Sequence, residues 1–247
     1  MGKKEDENCG TPFFCGEAVN EYKEKVMSEM GIYLKATEAI NSNHEVIQET
    51  AGKLTFGCTN DVEKVIKLFY FVRDSIRYNV YMVSMYLDDF KSSDTLERKK
   101  GYCVQKAVLL AALGRAVNIP TRLAFARIKN HRAPIHLMEQ IGTNIFPRHG
   151  YNQVYLNGEW VSMAATFDRE LCLQNGLPAV EFDGMHDAIL PETNLAGNLY
   201  IEYLEMYEPQ ADLPLEWITK ETSRIWGVEK RAWLDKKDSK FYKVSSK

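Results

Sequence analysis

The 247-residue sequence is poor in the features that would place it in a specialised class. No run approaches the roughly 18 apolar residues of a membrane-spanning helix, and the start, MGKKEDENCGTPFFC, lacks the apolar centre of a secretory signal. Asp6 stands where a myristoylation motif needs Ser or Thr. The formal charge is only −3, which gives no electrostatic reason to expect nucleic acid as a partner. The five cysteines, at 9, 15, 58, 103 and 172, are odd in number, scattered and without a CxxC pair. That pattern fits reduced thiols better than a disulfide framework or a zinc set. There is no internal repeat and no Pro/Gly/Ser-rich linker. These absences lead to an expectation of a soluble cytoplasmic protein with neither membrane nor nucleic acid as partner, no cofactor and no metal, and an oligomeric state that stays open.

What is present is ordinary globular material, 45% hydrophobic and 26% charged, organised around one stretch. Charged residues and a glycine, Lys99-Lys100-Gly101-Tyr102, give way at Cys103 to strong helix formers. From there apolar positions 104, 107, 108, 111 and 112 recur every three or four places until Pro120 ends the run. Cys103 is therefore predicted in the first turn of a helix over 103–117. Unpaired amides at such an end favour thiolate and supply donors for an oxyanion. A single cysteine opening an apolar helix is nevertheless more often a small buried hydrophobe, so this helix alone does not establish a nucleophile.

Residues 17–40 carry a broken helical pattern (Val19, Tyr22, Val26, Met30) interrupted by Gly31. Asn60 caps a helix predicted over 61–75, and 82–98 reads as a loop rich in Asp and Ser. Residues 121–127 alternate as a half-buried strand, and 128–147 read as loop. Segments 149–156 and 159–164 flank Asn157-Gly158, the strongest short hairpin signal. Helical pieces are expected around 196–207 and 214–226. Helices preceding an antiparallel sheet give an α+β fold, with the cysteine helix packed on the sheet. The expected division is an N-terminal arm or helical extension (1–59), a main domain (60–220), and a C-terminal helix with a basic tail (221–247).

A two-residue turn at Asn157-Gly158 pairs Leu156 with Glu159 and, if the ladder continues, His149 with Thr166. Parity then places Ala164, Thr166 and Asp168 on the His149 face, with diagonal neighbours roughly 7–8 Å apart. Asp168 is thus a candidate orienter of His149. His44, His131, His136 and His186 read as surface residues, Cys172 and Trp160 as packing, and Tyr78 or Tyr81 as possible oxyanion donors.

Three blocks in order carry a resemblance. Gly101-Tyr102-Cys103 with its Ala/Leu-rich helix, Ile119-Pro120-Thr121-Arg122, and His149-x-Tyr151-x-Gln153-Val154-Tyr155-x-x-Gly158-x-Trp160 resemble the transglutaminase-like superfamily over about residues 60–170, and to 220 in a bacterial subgroup. The resemblance implies a papain-like arrangement with Cys103 as nucleophile, His149 as base and an Asp orienting the His. It implies acyl transfer or amide hydrolysis of a peptide, protein or small amide through a thioester. One position departs from the pattern: where the family has Asp in Asp-Pro-Thr, this chain has Ala164 in Ala164-Ala165-Thr166. Asp168 is the leading replacement; behind it stand Asp183, in Glu181-Phe182-Asp183-Gly184, which resembles the subgroup's Glu-Phe-Asp-Gly, and Asp187. A Cys–His pair without an acid, and a non-catalytic peptide- or partner-binding module on the same fold, are the other readings.

Overall fold

The computed structural model describes residues 30–226. The 17–29 part of the broken helical pattern, Cys9, Cys15 and the basic tail lie outside the described residues. The chain divides into two compact units, Met1–Ile32 and Tyr33–Lys247, and the buried hydrophobic core of the described residues belongs to the second.

Helix α4 (Cys103–Ala116) is the axis of this second unit, and every residue from Val104 to Arg115 in it is buried. A helix that is apolar almost all round must be covered on all sides. Strands β3 (Thr121–Asn130) and β4 (Ile145–Leu156) cover one side. Helices α1 (Glu45–Thr55), α2 (Asp61–Ser75) and α3 (Ser92–Arg98) cover the others. Its long cationic side chains end on backbone carbonyls: Lys106 Nζ donates to Arg73 and Ile76 at 3.0 and 2.6 Å, and Arg115 to Thr121, Lys35 and Ala211. Buried donors are tolerated when they are paired in this way.

The α+β architecture is completed by a four-stranded antiparallel sheet in the order β5-β4-β3-β6, with β5 at Glu159–Met163 and β6 at Ile201–Met206. The hairpin forms in the expected register, Leu156 opposite Glu159 through Asn152 opposite Met163. Asn157 and Gly158 both have positive φ (52° and 95°), as a type I′ turn demands. A two-residue parallel ladder, β1 (Arg77–Tyr78) against β2 (Lys100–Gly101), delivers the chain to Cys103.

Three sequence expectations are corrected. Residues 92–98 are helical, with Ser92 Oγ tied to the carbonyls of Ala39 and Val108. Strand β3 runs on to Asn130, a short helix α5 (Ile135–Ile141) follows, and β4 already begins at Ile145, so little of 128–147 is loop. Residues 201–206 form a strand on β3, because Ile201 and Tyr203 alternate with Glu202 at period two. Within the segment expected as an arm or helical extension, α1 buries Ile47 and Ala51 in the core beside α4. Helix α7 (Leu215–Trp226) runs unbroken across position 220.

Candidate active site

Cys103 is the first residue of α4. The turn that precedes it is held by Gln105, whose Oε1 accepts the Tyr102 amide at 3.1 Å while its Nε2 donates to the Asp89 carbonyl. Strand β4 approaches the same helix end so closely that a Cβ on Gly150 would lie 3.0 Å from the Val104 Cα and 3.3 Å from its nitrogen. A glycine inside a strand marks such an approach. Desolvation is the largest influence on the thiol and pushes it up to about 11, although the amides of Gly150, Val104 and Cys103 itself all bear on the sulfur and favour thiolate.

His149 immediately precedes that glycine. Ala126 is its partner on β3, and the ladder shifts register directly after this pair. Such bulges re-aim side chains and are common beside active sites. The imidazole is stacked on Tyr151 (centroids 6.1 Å apart) and meets Tyr203 edge-on at 6.4 Å. Enclosed by these rings, it is 3% exposed, and desolvation lowers its pKa to about 3. Its Nε2 is buried with no hydrogen-bond partner. Strand β4 therefore brings Gly150, the residue after His149, against the end of α4 that begins at Cys103, and burial favours the neutral thiol and the neutral imidazole.

None of the candidate acids bonds to His149. The parity argument needed the β4–β5 ladder to continue past Met163, but it ends there and Ala164 gives its amide to the Ala188 carbonyl instead. Asp168 becomes the N-cap of helix α6 (Arg169–Gln174): Oδ1 accepts the Leu171 amide at 3.0 Å and Oδ2 the Tyr78 amide at 2.9 Å. Asp183 is engaged with His186 and with the amides of Met185 and His186, contacts that hold its carboxyl well below the usual range. Asp187 accepts the Ser162 amide at 2.7 Å. Asp183 and Asp187 line a pocket of about 220 Å³ with Tyr70, Glu181, Phe182 and His186, to which neither Cys103 nor His149 contributes.

The remaining candidates pack, cap or pair elsewhere. Cys172 is buried in the core, and Trp160 lies between Tyr33, Tyr155 and the Arg122 guanidinium. Tyr78 packs on Phe167 and Tyr81 on Trp226. His44 caps α1, and His131 bonds Glu202. Among the described residues no three His, Cys, Asp or Glu side chains gather as a metal site. Sequence reasoning did not single out the Gly150 amide, for which the only signal was a glycine inside a strand, nor the tyrosine cage around His149.

Residues 48–165, which hold both Cys103 and His149, match the model of the transglutaminase-like superfamily. This segment is similar to that superfamily. None of the curated proteins matches the chain. Among solved structures, a candidate cysteine protease from Cytophaga hutchinsonii is 17% identical with a TM-score of 0.45, over 74% of this chain and 54% of that one. A candidate protease from Parabacteroides distasonis is 15% identical with a TM-score of 0.36, over 57% of this chain and 26% of that one. A structure described as a TGase is 16% identical with a TM-score of 0.32, over 61% and 37%. The chain thus spans about half the length, or less, of the structures it matches. Among the described residues no helix is long and apolar enough to cross a membrane.

Proposed function

We propose that the chain is a cysteine-dependent acyl-transfer or amide-hydrolysing enzyme that runs on a Cys103–His149 dyad. Cys103 Sγ attacks the carbonyl of an amide or ester in a peptide, protein or small molecule while His149 takes the thiol proton. The amides at the start of α4 face the charge that develops there. The imidazolium then gives its proton to the leaving amine or alcohol. The resulting Cys103 thioester passes its acyl group to water or to an amine, and neutral His149 draws the proton from that acceptor. Because the thiol is pushed to about 11 and the imidazole to about 3, charge separation is deferred until substrate is present.

The observation that carries this reading is the close approach of β4, through the residue after His149, to the helix end that begins at Cys103, where a Cβ on Gly150 would lie 3.0 Å from the Val104 Cα. The test is acylation by p-nitrophenyl acetate. A hydroxylamine-labile acetyl group should appear on Cys103 of the wild type, and no such adduct should form in Cys103→Ala.

A second reading is favoured by one specific feature, the buried and unpartnered Nε2 of His149 where the family carries an acid and this chain has Ala164. On that reading the chain is a peptide- or partner-binding module with no turnover. A folded wild type that forms no acyl-Cys103 would select it.

A further inference from the structure

Arg148 precedes His149 in β4 and points to the opposite face of the strand. Three contacts fix which face that is. Gly150 pairs with Phe125 and abuts Val104 at the start of α4. Phe125 packs edge-on against Trp217 of α7 at 5.4 Å. The Arg148 guanidinium lies 3.7 Å from the centre of the same Trp217 ring. Arg148 therefore shares the face of the residue whose amide bears on the Cys103 sulfur, two positions along the strand, or about 7 Å.

The guanidinium lies over Trp217, 3.7 Å from its ring centre, and 4.7 Å from that of Tyr207, two rings that meet edge-on. Its Nη1 donates to the Pro147 carbonyl at 2.9 Å and to the Tyr207 hydroxyl at 2.8 Å. Its Nε is buried and unpartnered, and the guanidinium's hydrogen bonds among the described residues all come from Nη1. No carboxylate among the described residues pairs with this cation. Glu205, which shares the Tyr207 hydroxyl at 3.1 Å, sits opposite Arg127 at 3.5 Å instead. Nε–H and one Nη2–H form the parallel fork that a carboxylate accepts in a bidentate manner. A fork with an unpartnered inner donor, packed on two aromatic rings and two positions from Gly150 along the strand, suits an anionic guest.

We propose that Arg148 binds a carboxylate of the substrate and so directs the site toward acyl donors that carry one within one or two residues of the attacked carbonyl. The carboxylate is supplied either by a free peptide C-terminus or by an acidic side chain. This deepens the reading of Cys103 and His149 as an acyl-transfer dyad and rests on it for there being a substrate at all, but the binding itself is measurable without turnover.

The experiment is therefore done on Cys103→Ala protein by calorimetry, with four acetylated probes: Ala-Ala-Ala as free acid and as C-terminal amide, and Ala-Glu-Ala and Ala-Gln-Ala as amides. Bidentate charge-assisted pairing should make one or both carboxylate probes bind about tenfold or more tighter than their neutral counterparts. The free-acid arm identifies a C-terminal carboxylate, and the Glu arm a side chain. Arg148→Gln should abolish the preference. Arg148→Lys keeps the charge and loses the fork, so it should also lose most of the preference while remaining folded. Equal response from acid and neutral probes, including none from either, would overturn the proposal, as would a preference unchanged in Arg148→Lys. Failure of acyl-Cys103 to form in the wild type, with the carboxylate preference intact, would sink the enzymatic reading alone.

Discussion

Asp168 Oδ2 accepts the backbone amide of Tyr78 at 2.9 Å, and this bond joins the start of helix α6 to the short ladder that leads into Cys103. With its other oxygen capping α6 through Leu171, the carboxylate has a structural task on both sides. Asp168→Ala should lower stability by about 2 kcal/mol, combining about 1 for a lost N-cap with a part-buried amide left unpaired. Asp168→Asn keeps one acceptor and should cost less. Urea unfolding measures both. In the folded Asp168→Asn variant, acylation of Cys103 should stay within about twofold of wild type, whereas removing the orienting acid of a related triad costs about 10⁴-fold.

Gly150 has no room for a side chain. The Cβ of alanine would press on the Val104 backbone at 3.0 Å, and neither partner is a flexible side-chain end. Gly150→Ala should destabilise by about 1–3 kcal/mol, the usual range for overpacking. By moving the amide off the sulfur it should also slow acylation of Cys103 by about tenfold or more, the range for loss of one preorganised donor being higher still. A variant of wild-type stability and rate would mean that the strand does not bear on the thiol.

Burial of neutral His149 makes the fold sensitive to acid. Its pKa falls from 6.5 to about 3, so the unfolded chain takes up a proton at pH values where the folded chain does not. The stability this residue contributes is complete above about 6.5 and is lost as the pH falls toward 3. At about 1.4 kcal/mol for each unit, the loss is on the order of a few kcal/mol. His149→Gln should show a flatter decline than wild type between pH 6.5 and 4.5 in urea titrations. Parallel declines would place the imidazole in contact with water.

The sequence made some of this legible because certain signals are local. Asn157-Gly158 sets a two-residue turn and with it the whole register down to Asn152 and Met163. The apolar run after Cys103 declares a buried helix, and Asn60 its neighbour's cap. The misplaced elements depend on contacts distant in sequence. Strand β5 stops at Met163 because the 188 segment takes over the pairing of Ala164, and nothing near position 164 signals that, so parity carried Asp168 to a face it does not reach. In β6 the exposed Leu204 and Met206 blur an alternation that only the pairing with β3 reveals. Helix α3 has no side-chain N-cap to announce it.

The most direct test of the account is the pH dependence of Cys103 acylation by p-nitrophenyl acetate, compared between wild type and His149→Ala across pH 5 to 9. A thiol at about 11 assisted by an imidazole at about 3 has both groups in their working forms throughout that window, so the wild-type rate should be nearly flat. Without the base, the variant must wait for free thiolate, and its rate should rise about tenfold with each pH unit from a much lower start. Two coincident curves, both climbing with thiolate, would contradict the assignment of His149 as the base that activates Cys103.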